Sequence, residues 1–327
     1  MFRFHLITLS LLFVLVQCQP SEPVELRVRL KQGDKYVQTV TTKQKIVQEL
    51  PSMAPGSAST RQIQKSTTAI TYTVECTGVD PDGITIKLTY DRIKVEKEQS
   101  TVSEGSDSNS PGRKTVYDSE KDKNPSDPEA IAYSVMIGNG FSVKLSPQAE
   151  VLDMIGVEEF LDRVYSGLDI PDTPQGKQVR KMLKEQFGSK TMEHMLARSY
   201  LPYPKEKVGE GDSWEKTFDL GGAGFPLKVE NTYTVDDMDS SEVTLETKGE
   251  ISSIEGQTLK IMTMEFGYDI SGKQSGEQVI ETKRGIVVRS EVKQDMKGEM
   301  TILSAPQMAQ SMKIPMEMET VVTLETE

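Results

Sequence analysis

The chain predicts a mainly β (α+β) protein: a curved antiparallel sheet, or two half-barrel-like β regions, with a helical insertion at about 149–200. Three observations carry this. Apolar and polar residues alternate with period two through most of the chain, which gives strands with one dry and one wet face. Turn sequences separate these runs at hairpin spacing. Between about Ala149 and Tyr200 the apolar spacing switches to that of amphipathic helices.

The chain opens with Arg3, an apolar run from Leu6 to Val16, and then Cys18. This reads as a secretory signal over residues 1–18. The run is shorter than the roughly 20 residues a membrane-spanning helix needs. Leu15-Val16-Gln17-Cys18 resembles a bacterial lipobox, apart from Gln17 where a small residue is usual. Cys18 is therefore the candidate lipid-attachment residue, and cleavage near Cys18 or Gln19 that releases a soluble protein is the alternative. Residues 19–23 would serve as a tether. The expected location is periplasmic or membrane-tethered on the cell envelope, and otherwise secreted.

Residues 24–98 form a first β region. Leu26, Val28 and Leu30 alternate with charged residues, and Ile70, Tyr72, Val74 and Cys76 alternate with Thr71, Thr73 and Glu75. Residues 99–128, with a milder version at 51–66, are rich in Ser, Asp, Pro, Lys and Glu, and read as a disordered or extruded loop. Residues 129–148 read as a β hairpin around Ile137-Gly138-Asn139-Gly140. The helical segment at 149–200 has one stripe in Gly156–Tyr165 and a second in Val179, Met182, Leu183 and Phe187, continued by Met192, Met195 and Leu196. Residues 201–327 form a second β region, with Leu227, Val229, Tyr233 and Val235 on one dry face and Met312, Ile314, Met316 and Met318 on another. Asp80-Pro81-Asp82-Gly83 and Met296-Lys297-Gly298-Glu299 are read as turns. About twelve to fourteen strands result from this period-two reading.

An internal repeat is suggested. Gly33-Asp34-Lys35-Tyr36 opens the first β region and Gly211-Asp212-Ser213-Trp214 the second, and a Tyr-Thr-Val run follows each, at Tyr72–Val74 and Tyr233–Val235.

Composition excludes several classes of function. The net charge of −12 argues against nucleic acid and anionic membrane surfaces, which reward clustered Lys and Arg. His5 lies in the leader, so His194 is left alone, which rules out a multi-histidine zinc site and leaves any histidine-based triad only that residue. Cys76 lies on a dry face and, without Cys18, has no disulfide partner. The carboxylates at Asp236, Asp237, Asp239, Glu158 and Glu159 lack loop-ligand spacing. Leu220–Phe225 is glycine-rich, but no Lys-Ser/Thr pair follows as a phosphate-binding loop requires. No catalytic residue, cofactor or metal is expected.

The residues left for a binding site are apolar. Tyr36 and Trp214 follow the two Gly-Asp turns, where they either start inward-facing strands or line a cavity mouth. Eight of the sixteen methionines lie after residue 261, with Met312, Met316 and Met318 on one strand face. Methionine suits irregular apolar ligands as well as ordinary cores.

Leu30–Tyr36, Val116-Tyr117-Asp118-Ser119, Ile137–Pro147 running into Glu150-Val151-Leu152, and Val208–Trp214 together resemble a family of exported bacterial proteins, often predicted lipoproteins, whose domain has no known function. That resemblance covers the chain from about residue 24 and implies a β-rich exported protein without catalytic residues to carry over. A looser similarity, at the level of fold alone, is to half-barrel carriers of the lipoprotein-localisation type. The expected function is non-catalytic binding of an apolar small molecule or an envelope protein. The alternatives are a structural or interaction protein with a filled core and a carboxylate-dependent hydrolase.

Overall fold

A computed structural model describes residues 22–51, 59–103, 110–168, 170–174, 176–177, 192, 200–220, 226–261, 264–304 and 311–327. Thirteen strands and two helices occur among them. In order they are β1 (Lys35–Leu50), β2 (Thr60–Asp80), β3 (Gly83–Ser103), β4 (Ser110–Asp118), α1 (Pro128–Met136), β5 (Gly140–Leu145), β6 (Val151–Ile155), α2 (Val157–Gly167), β7 (Ser213–Leu220), β8 (Leu227–Met238), β9 (Glu242–Ser253), β10 (Thr258–Ile261), β11 (Met264–Glu281), β12 (Ile286–Ser304) and β13 (Met312–Thr326).

All thirteen strands belong to one antiparallel sheet, in the order β6-β5-β3-β2-β1-β13-β12-β11-β9-β8-β7, with β4 paired to β3 and β10 to β11. The sheet is curved and does not close into a barrel. The curvature is legible in the packing. One buried cluster joins Tyr36, Val74, Cys76, Ile86 and Val143 from one flank to Tyr233, Val235, Leu245, Ile280 and Ile286 from the other. Leu26, Val28, Leu30, Phe160 of α2, Leu201 and Tyr203 fill the space between the flanks. The sheet edges are linked there by Lys216 on β7, 3.2 Å from Glu150, and by the Tyr203 N–H, which donates to Gln148 O at 2.9 Å.

The suggested repeat is a structural one. The meander β1-β2-β3-β5-β6 recurs as β7-β8-β9-β11-β12, each with an insertion between its third and fourth strands. Gly33 (φ 92°) and Gly211 (φ 83°) both take the left-handed conformation that glycine permits. The Asp34 carboxylate accepts the Lys31 N–H at 2.7 Å, and the Asp212 carboxylate accepts the Gly209 N–H at 2.8 Å. Gly33 N donates to Cys76 O and Cys76 N to Asp34 O. Gly211 N donates likewise to Val235 O, and Val235 N to Asp212 O. Both second strands carry a register shift next, at Cys76/Gly78 and Val235/Asp237. Both then end in a turn whose first carboxylate accepts two N–H groups: Asp80 from Asp82 and Gly83, Asp239 from Ser241 and Glu242. These bonds make Cys76 the counterpart of Val235. The two Tyr-Thr-Val runs are therefore offset by two residues, and Tyr233 answers to Val74, not Tyr72. The offset keeps every side chain on its face, which is why the sequence pattern could not detect it.

Several expected boundaries shift. Ser110–Asp118 is strand β4, although residues 99–128 read as loop. It is an outlying strand hydrogen-bonded to β3 alone, so few apolar residues are needed to fix it. The 129–148 stretch begins with helix α1, not a hairpin arm, because Asp127 caps the first turn by accepting the Glu129 and Ala130 N–H groups, with Pro128 following it. Gly138 then links α1 to β5. Val151–Ile155 is strand β6 at the start of the segment read as helical. Gly298 is not in a turn but mid-strand in β12, where an added Cβ would lie 1.9 Å from Asp269 O: the glycine serves a close approach of β11. The Leu26–Leu30 run is extended but joins no ladder. Its N–H groups go instead to separate carbonyls, Val28 to Pro147 and Arg29 to Arg284. Cys18, Met182, Leu183, Phe187, His194, Met195 and Leu196 lie outside the described residues.

Candidate functional site

The concave, inner face of the sheet is set by register. Tyr36 on β1 faces Val74 on β2, and two residues further on Tyr72 pairs with Tyr90 on β3, so the three phenols form a diagonal row. Tyr36 is 6% exposed, whereas Tyr72 and Tyr90 are half-buried. The ring of Tyr90 stacks on Phe160 of α2 at 5.6 Å, and the Arg284 guanidinium lies 5.7 Å from the centre of the Tyr36 ring. Tyr200 and Tyr203 complete the group. The Tyr203 hydroxyl donates to Gly285 O at 3.1 Å, and none of the other four hydroxyls is a buried polar atom without a partner.

Burial pushes the Tyr90 hydroxyl up to about 12. It raises Tyr36 and Tyr72 further, and Tyr200 well above the ordinary phenol value, with Tyr36, Tyr72 and Tyr90 adding to the effect at Tyr200. These groups are thus deep, close together and uncharged at neutral pH. Yet Tyr72, Tyr90 and Tyr200 keep accessible surface.

In the second repeat the positions answering to Tyr72 and Tyr90 hold Asn231 and Gly249. Here the polar groups are satisfied. Gln294 Nε2 donates to Gln274 Oε1 at 2.8 Å, Gln274 Nε2 to Asn231 Oδ1 at 2.6 Å, and Asn231 Nδ2 to the Tyr233 hydroxyl at 2.9 Å. This amide belt crosses the inner face. Beyond it lies an apolar wall: Ile270, Met296, Met316 and Met318 in one cluster, and Phe266, Met300, Ile302 and Ile314 in the next, with Met264 and Met312 packed against the latter.

The structure separates the residues expected to line one apolar site. Tyr36 and Trp214 belong to the large cluster, as counterparts in the two repeats. Trp214 stacks on Tyr233 at 5.6 Å and donates from Nε1 to Pro202 O at 3.1 Å. Met316 and Met318 lie in the second cluster and Met312 against the third, on the same face but past the amide belt. The phenol row was missed at the sequence level. Its signal was the recurrence of Tyr36, Tyr72 and Tyr90 on dry faces, but only strand pairing brings the three together.

Two open clefts lie elsewhere. One of about 490 Å³ runs between β3, β4 and α1, lined by Lys97, Tyr117, Lys121, Glu129 and Tyr133 among others. At its wall the Tyr117 hydroxyl is buried without a partner. The cleft's carboxylates are engaged: Asp127 caps α1, and Glu129 accepts from Lys97 at 2.5 Å and from Tyr133 at 2.7 Å. The second, of about 430 Å³, lies on β1, β2, β11, β12 and β13 among Glu49, Arg61, Asp269 and Lys297. Among the described residues no three His, Cys, Asp or Glu side chains are grouped to hold a metal.

A model described as "Family of unknown function (DUF6263)" matches residues 81–287. None of the curated proteins compared with the chain matches it. Among solved structures, one described as "Lipid-protein interactions in lipovitellin" is similar at a TM-score of 0.43 and 9% identity, over 91% of this chain and 25% of that one. The chain thus spans about a quarter of lipovitellin's length. OccK7 (OpdD) of Pseudomonas aeruginosa is similar at 0.23 and 7% identity, over 90% of this chain and 99% of its own. The β domain of the Bordetella autotransporter BrkA follows at 0.14 and 8%, over 90% and 99%.

Proposed function

This chain belongs to the DUF6263 family of unknown function, and since membership brings no activity with it, we propose that it is a non-catalytic binding protein that holds a flexible apolar ligand against the concave face of its sheet. The observation that carries this reading is the methionine wall. Met264, Met296, Met300, Met312, Met316 and Met318 share one face of three neighbouring strands. Methionine has three rotatable bonds and a polarisable sulfur, so such a wall can repack around chains of differing shape where a Leu or Ile wall could not. The proposal includes export through the Met1–Cys18 leader and a tether at Cys18 on the cell envelope; the apolar run ending in that cysteine supports it.

The test is native mass spectrometry of protein purified from the membrane and soluble fractions of its own host. A co-purifying apolar molecule, released by organic solvent, is the expected result. A mass gain on an N-terminus beginning at Cys18 would establish the tether. A second reading, an interaction protein with a filled core, is favoured by the burial of Met296, Met300, Met316 and Met318 under 10% exposure. Ligand-free protein from both fractions would decide for it.

A further inference from the structure

We infer that the ligand is an anionic glycerophospholipid laid across the strands, with its acyl chains on the methionines of β12 and β13 and its phosphate at Arg113 on β4. The inference rests on the binding role proposed above and names the class and direction of its ligand.

The inner face changes chemistry in one direction. Directly paired residues share a face of the sheet, so a cross-strand row can be followed from β12 to β4. One row runs Met296, Met318, Ile46, Gln64, Gln99, Arg113. The row beside it runs Met316, Gln48, Gln62, Thr101 from β13 to β3. Apolar side chains on β12 and β13 thus give way to neutral amides on β1 to β3, and these to a cation on β4. The chain carries a net charge of −12, yet neither row contains a carboxylate. Glu49, Asp295, Glu299, Glu317 and Glu319 all alternate to the outer face.

This is the order of groups along a phospholipid: hydrocarbon, then esters and glycerol, then phosphate. Covering a charge with hydrocarbon is costly, whereas amides and hydroxyls can hydrogen-bond to esters. The amide zone distinguishes a phospholipid from a fatty acid. Ile46 and Arg113 are three strand spacings apart, about 14 Å. A fatty acid has its carboxylate at the very end of the hydrocarbon, so reaching Arg113 would lay its tail on the amides. From β12 to β4 is five spacings, about 24 Å, close to the roughly 20–22 Å of one membrane leaflet with its headgroups. The cation at the end of the row is uncommitted. Lys97 is held by Glu129 at 2.5 Å, whereas Arg113 is exposed and has no ion pair among the described residues.

The experiment displaces a fluorescent apolar probe from the delipidated full-length protein with palmitoyl-oleoyl phosphatidylglycerol, its phosphatidylcholine analogue, or oleate. It uses the wild type, Arg113→Gln, and Lys65→Gln, which removes the same charge from the outer face of β2. Phosphatidylglycerol should bind about tenfold more tightly than oleate or phosphatidylcholine, whose choline cation would lie beside Arg113; that is the size of one hydrogen bond to a charged group. Arg113→Gln should abolish the preference over phosphatidylcholine without lowering the melting temperature, because the side chain is exposed. Lys65→Gln should keep it. Equal binding of the two phospholipids, a preference that survives Arg113→Gln or falls equally with Lys65→Gln, or oleate bound as tightly as phosphatidylglycerol would overturn the phospholipid assignment while leaving the binding role standing. A wild type that binds none of the three would overturn the binding role itself.

Discussion

Gln274 and Asn231 are hydrogen-bonded at 2.6 Å although their strands are not neighbours. Strand β9 runs between β11 and β8 and places Gly249 opposite both residues. A Cβ there would lie 2.0 Å from Asn231 Oδ1 and 3.0 Å from Gln274 Cγ. The amide belt crosses β9 because the middle strand has no side chain at that point.

Gly249→Ala should therefore break the belt and leave buried amide groups unpaired. The expected loss is about 1–3 kcal/mol. Urea unfolding followed by circular dichroism measures it. A midpoint equal to that of the wild type would mean that the amides re-pair around the methyl group.

The two Gly-Asp turns make a matched pair of tests. Nothing lies within 4 Å of a Cβ added at Gly33 or Gly211, and both have positive φ. Alanine at either should cost only backbone strain, about 1–2 kcal/mol. Similar losses at the two sites, read from thermal melts, are expected if the repeats are equivalent in energy as well as in geometry. A loss confined to one site would show that they are not.

Asp118 is buried, and Arg92 beside it at 2.8 Å holds its carboxyl below the usual carboxylate value. A lowered folded value contributes stability that is fully present above the unfolded Asp value of about 3.9. That contribution disappears as pH falls through the folded value. Arg92→Leu should thus be less stable than the wild type from pH 6 to 8, and the gap should narrow below about pH 4. A gap that stays constant down to pH 2 would assign the loss to packing instead.

The Cys76 thiol is 1% exposed, and burial raises its pKa. Ellman's reagent should leave it unreacted in the native protein and modify it on unfolding in guanidinium. Rapid modification under native conditions would require that the Tyr36–Val74–Cys76 end of the sheet opens.

Much of the fold was legible in the chain. The dry faces at Val74 and Cys76, at Leu227 to Val235, and at Ile314 to Met318 are buried as their alternation predicts. Each misreading has its own cause. Leu26, Val28 and Leu30 alternate like a strand because any extended segment buries every second side chain, whether or not a ladder holds it. Gly298 looked like a turn residue because glycine serves turns and close strand approaches alike. Ser110–Asp118 looked like loop because an outlying strand need bury little. Of the site, the methionines on one face of β13 could be read directly, whereas the phenol row could not, since its members lie on three separate strands.

The sequence by itself determined which side chains are dry in the strands and where the two Gly-Asp turns at Gly33 and Gly211 lie. Tertiary structure alone decided that β1 lies beside β13, that two meanders flank that strand in one sheet, and that Tyr36, Tyr72 and Tyr90 meet. The physical reason is the locality of each signal. Alternation records that a face is buried but not what it is buried against. Partners far apart in the chain are selected by register, curvature and packing across the whole sheet.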